Sequence, residues 1–142
     1  MRVMAIDYGD ARTGVALSDL TGTLAGETFV ISQWDPEKLC SQLARAAQER
    51  GADTLVLGYP KNMDGTAGVR AEKCAAFGEK LRQATGLPVV LWDERRTTVD
   101  AHRILSEAGR HGKKRKETVD AVAASLILEG YLNSLHGKED RL

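Results

Sequence analysis

Three acidic residues far apart in the chain are placed to do chemistry together: Asp7, Glu94 and Asp120. Asp7 ends the short apolar run VMAI, Glu94 follows the run VVLW, and Asp120 opens an apolar helical pattern. Each alone has an ordinary explanation. Asp7 can cap its turn, Glu94 can pair with Arg95 or Arg96 on the surface, and Asp120 can complement a helix dipole. Gathered at one point, three uncompensated carboxylates would repel and shift one another's pKa values. A divalent cation removes that cost. Carboxylate oxygens suit Mg²⁺ or Mn²⁺, and no His/Cys cluster argues for zinc. Two such ions roughly 3.5–4 Å apart can activate a water and stabilise the leaving oxygen of a phosphodiester.

The cationic residues fit a polyanionic substrate. Residues 110–116 (RHGKKRK) carry five formal positive charges in seven positions and lead directly to Asp120. Lys113, Lys114, Arg115 and Lys116 are candidate contacts to phosphates beside the scissile one. The segment reads as a loop and, having no apolar anchor, is expected to be mobile from Gly109 to Lys116 without substrate. A second candidate is the glycine-rich stretch 58–68 (GYPKNMDGTAG), which opens a helix. Its backbone N–H groups with Lys61 and Asn62 can hold another phosphate. It lacks the Gly-Lys-Ser/Thr ending of a Walker A loop. Arg12, in the first hairpin turn, and Arg95 complete the candidate substrate contacts. The three histidines show no triad spacing.

The elements that must position these groups follow from periodicity. Residues 3–6 and 14–17 are apolar runs too short for helices, joined through Gly9 and Gly14 as a hairpin. Residues 28–32 add a third strand. Asp35 and Pro36 open a helix as N-cap and first helical residue, and Gly51 closes it. A strand at 54–57, a helix at 69–84, a strand at 89–92 and a helix from Thr97 that fades at Gly109 follow. The last helix runs from Glu117, with Asp120 in its first turn. The tail after Asn133 is polar and expected to fray. A meander followed by strand–helix alternation gives an α/β fold: a mixed five-stranded sheet with helices on both faces. Right-handed crossovers bring the strand ends after Ile6, Leu57 and Trp92 to one edge, where function is expected.

At 142 residues the chain is expected to be one domain, 1–142. Its formal net charge is +0, so attraction to nucleic acid must come from a local patch. Cys40 and Cys74 fall in helical patterns without metal-ligand spacing and read as buried thiols of a reducing compartment. The acidic residues Asp7 and Asp10 interrupt any signal-peptide core, and no stretch is long and apolar enough to span a membrane, so a cytoplasmic location is expected.

Four blocks carry a resemblance: DYGDARTGVALSD, GYPKNMDGTAG, DERRTT and TVDAVAASLILEGYL. In order and over nearly the whole chain, they resemble the signature blocks of the YqgF/RuvX family. The names of these bacterial proteins record two substrates, Holliday junctions and precursor 16S rRNA. The resemblance implies an RNase H-like fold and a divalent-metal-dependent nuclease that trims the 5′ end of precursor 16S rRNA, with that RNA or the ribosomal particle as partner. It maps the family's acidic site onto Asp7, Glu94 and Asp120, and its basic mobile loop onto residues 110–116. Resolution of DNA junctions by symmetric nicks would require a dimer. No long apolar patch declares an interface, so a monomer or weak homodimer is expected. Two rivals remain at this level. A non-catalytic nucleic-acid-binding module would use the basic segment alone. An actin-like ATPase or sugar kinase half would use the Asp-x-Gly turn for nucleotide phosphates.

Overall fold

The computed structural model describes residues 1–19, 25–60, 68–93 and 112–140, with the backbone path alone for 25, 112–120 and 136–140. Five strands and three helices occupy these stretches: β1 (Val3–Asp7), β2 (Arg12–Ser18), β3 (Ala25–Ser32), α1 (Pro36–Arg50), β4 (Thr54–Tyr59), α2 (Val69–Thr85), β5 (Val89–Asp93) and α3 (Gly112–Asp140). The strands form one sheet in the order β3-β2-β1-β4-β5. β1, β2 and β3 pair antiparallel, while β1, β4 and β5 run parallel. This is the expected mixed sheet. β1 lies at its centre, and Val3, Met4, Ala5 and Ile6 are all fully buried. A strand covered on both faces needs such an unbroken apolar run.

Alternation along the strands divides the core into two layers. Met4, Ile6, Val15, Leu17, Leu55 and Leu57 meet α1 and α2 through Leu39, Leu43, Phe77 and Leu81. Val3, Ala5, Ala16, Val56 and Trp92 meet α3 through Ala124, Ile127, Leu128 and Leu132. Both parallel crossovers therefore carry their helices on one face, and among the described helices α3 covers the other. Small residues let α3 approach closely. A Cβ built on Gly130 would lie 3.0 Å from Trp92 Cζ2. The Tyr131 ring stands edge-on to Trp92, with ring centroids 6.2 Å apart.

The caps of α1 follow the expected residues. Asp35 accepts a hydrogen bond from the Glu37 N–H at 2.9 Å, Pro36 takes the first helical position, and Gly51 turns left-handed at φ 66°. Cys40 and Cys74 are buried thiols not joined in a disulfide. Burial, reinforced by Glu37, pushes the Cys40 thiol above its ordinary pKa, with Lys80 opposing.

Several sequence boundaries need correction. The final helix begins at Gly112, five residues before the expected start at Glu117, and continues to Asp140 where fraying was expected after Asn133. The lysine-rich stretch 113–116 is therefore helical and not a loop. Lys, Arg and Glu are good helix formers, and Glu117 stands four residues after Lys113, a spacing that supports a helix. Arg12 is the first residue of β2, paired with Ser32 of β3, and does not sit in the turn. The helix expected from Thr97 lies outside the described residues.

Candidate active site at the carboxyl edge of the parallel strands

The chain leaves β1, β4 and β5 at the same edge of the sheet, as the crossovers require. Asp7 is the last residue of β1. Alternation from Val3 and Ala5 puts it on the α3 face. Its partner in β2 is Gly14, and one step past the Ile6–Leu57 pair the neighbouring position of β4 is Gly58. Gly58 in turn pairs with Trp92 of β5. Asp7 thus stands half-buried in a lateral row between two glycines, neither of which has a side chain to crowd its carboxylate. An oxygen donor fixed on a rigid strand is of the type that hard cations take.

Asp120 lies in α3, one helical turn before Ala124 and two turns before Ile127, both of which are buried against the sheet. It is the ninth residue of the helix, and no acidic residue occupies the first turn. The dipole-complementing explanation for Asp120 is thereby removed, since that effect fades beyond the terminal turn. Lys113, Lys114, Arg115 and Lys116 occupy consecutive positions in the helix just before it. Glu94, Arg95, Lys61 and Asn62 lie outside the described residues, Glu94 immediately after Asp93 of β5. Among the described residues no three His, Cys, Asp or Glu side chains group to hold a metal. The all-carboxylate donor set of Asp7, Glu94 and Asp120 fits magnesium or manganese better than a softer ion.

The turn beyond Asp7 is held by groups that periodicity did not reveal. Arg70, at the start of α2, binds the Asp10 carboxylate at 2.9 Å, donates to the Tyr8 carbonyl and lies over the Tyr8 ring at 5.2 Å. Lys73, one turn on, reaches Asp10 at 3.6 Å. The Arg70 hydrogen bond and charge, aided by Lys73, hold the Asp10 carboxyl below its usual pKa. Tyr8 stacks on Phe77 with centroids 4.1 Å apart. The Gly9 N–H donates to Thr13 Oγ1 at 3.3 Å, and a Cβ at Gly9 would fall 2.0 Å from the Arg12 carbonyl oxygen. Gly9 is therefore required by close approach, not by a left-handed backbone. Arg70 and Asp10 are sixty residues apart, and only the closing of the sheet brings them together.

A central Asp at the end of the first strand of a mixed β3-β2-β1-β4-β5 sheet, with the last helix packed across it, is the RNase H-like arrangement. Among solved structures, RuvC of Thermus thermophilus in complex with Holliday junction substrate superposes with a TM-score of 0.64 at 10% identity, covering 96% of each chain. At that identity the likeness shows the fold. The family follows from sequence. Residues 1–134 match the model of RuvX, described as Holliday junction resolvase, and the chain belongs to that family. A protein of Halothermothrix orenii named "Putative pre-16S rRNA nuclease" is 46% identical over 140 residues, covering 96% of this chain and 100% of that protein. One of Clostridium acetobutylicum with the same name is 44% identical over 135 residues, covering 95% and 100%.

Proposed function

We propose that this protein is a nuclease that hydrolyses phosphodiester bonds in precursor 16S rRNA with the help of a divalent cation. The observation that carries the reading is the position of Asp7: the end of the central strand, between Gly14 and Gly58, on the face that α3 covers. Family membership and the relatives' names support the nuclease class and point to the RNA substrate. In this reading Asp7, Glu94 and Asp120 hold Mg²⁺ or Mn²⁺, which when bound activates water and offsets charge on the leaving oxygen. Asp7 supplies a fixed carboxylate because its backbone is locked into the centre of the sheet. Asp120 supplies a second from α3, and Glu94 a third from the segment after β5. Lys113, Lys114, Arg115 and Lys116 bind phosphates flanking the cleavage point, while Arg12, Lys61, Asn62 and Arg95 hold the strand on the other side.

The test is cleavage of precursor 16S rRNA by purified protein with Mg²⁺ or Mn²⁺, against EDTA and Asp7→Asn. Cleavage that needs the ion and disappears in the variant supports the reading. Cleavage indifferent to both overturns it. A second reading, resolution of four-way DNA junctions, is favoured by the description of the family model. Symmetric nicking of such a junction with precursor rRNA left intact would select it.

A further inference from the structure

Trp34 and Val69 are the two most exposed large hydrophobic residues described, each 77% exposed. Trp34 follows β3 at the functional edge, where the Gln33 N–H donates to the Ala11 carbonyl of the β1–β2 turn at 3.0 Å. It is the residue before the N-cap of α1. A staple at that position would fold it onto Leu39, the fourth helical residue. Leu39 is buried and lines the same recess, yet the indole stays in solvent. Trp34 is therefore not held as part of the core.

The recess beside it measures about 320 Å³ and is bordered by Tyr8, Asp10 and Lys73. One carboxylate, Asp10, is shared there by two cations, Arg70 and Lys73. Arg70 is the closer partner, so the group as a whole keeps a positive charge with Lys73 at its outer side. An exposed indole next to a half-exposed ammonium matches one nucleotide: a base face for the ring and a phosphate for the lysine. The turn that begins at Asp7 also carries Tyr8 and Asp10 of this recess, which lies on the α1/α2 side of the sheet edge while Asp7 faces α3, so one strand reaching both would cross that edge.

We propose that Trp34 and Lys73 form a subsite for an unpaired nucleotide of the substrate strand, the base stacked on Trp34 and its phosphate on Lys73. This rests on the nucleic-acid reading above. Binding is measured without divalent cation, in EDTA, so that cleavage plays no part. The probe is a labelled single-stranded oligouridylate of about ten nucleotides, within the usual span of such sites. Fluorescence of Trp34, isolated by Trp92→Phe, is expected to quench saturably. Label anisotropy with the parent protein gives the same affinity if that variant folds poorly. Trp34→Ala is expected to weaken binding about tenfold and leave Tm unaltered, Trp34→Phe to restore most of it, and Lys73→Ala to weaken it with a shallower salt dependence. An abasic oligomer is expected to bind parent and Trp34→Ala alike. Equal affinity of parent and Trp34→Ala for the oligouridylate overturns the proposal, including when Trp34→Ala loses only a protein partner. Stacking without metal-dependent cleavage defeats the nuclease reading alone. Cleavage with KM and kcat unmoved by Trp34→Ala defeats the subsite alone.

Discussion

Asp7 stands half-buried at the end of a fully buried strand, and its two lateral neighbours are glycines that set no side chain beside it. Asp7→Asn preserves shape and removes charge. Cleavage is expected to fall at least about 100-fold, since even outer partners of metal ligands cost 10–100-fold when lost. RNA affinity measured in EDTA should hold or rise, because one negative charge beside the polyanion is gone. A matching loss of affinity would mean that Asp7 is structural. At Cys40 the expectation concerns pH. Its folded pKa lies above that of a free thiol, mainly through burial. The neutral thiol thus contributes stability in full below the unfolded value, roughly 8.5. The contribution fades as pH rises through the folded value. Alkylation of Cys40 near pH 8.5 should be slow in the native protein and rapid once denaturant is added. Mass mapping of the modified residue checks this.

At the scale of elements, two glycines sit closer to their neighbours than a side chain ordinarily permits. Gly130→Leu keeps good helix propensity but drives a side chain into Trp92, which Gly130 already meets closely. The expected cost is about 1–3 kcal/mol, read as a fall in the urea midpoint. Gly9→Ala forces the β1–β2 turn away from the Arg12 carbonyl. Because Asp7 begins that turn, cleavage should drop by up to about 100-fold, the cost of a displacement near 1 Å. Legibility from sequence divides along the same lines. α1 was readable to the residue because Asp35, Pro36 and Gly51 act locally. The edge shared by β1, β4 and β5 was readable because parallel crossovers have one hand. The start of α3 was not, since a run of like charges reads as loop while its residue types favour helix. The Arg70 clamp on Asp10 and Tyr8 was invisible because nothing near either residue marks the other. Of the candidate site, sequence placed Asp7 at its strand end and put Asp120 in the last helix at the wrong depth.

Across the whole molecule, zero net charge confines the attraction for RNA to local stretches. Affinity should therefore fall with salt, and replacing Lys113, Lys114, Arg115 and Lys116 with alanine should lower affinity and reduce the log–log slope by about 3, at roughly 0.7 per phosphate contact on a single strand. An unchanged slope would take those residues off the substrate path. The placement of α3 has a consequence for assembly. It lies far along the chain from β1, and it covers the face on which Val3, Ala5, Val56 and Trp92 would otherwise meet water. In the proposed site Asp120 meets Asp7 only once that face is covered, so the event that completes the core is also the one that would switch the chemistry on.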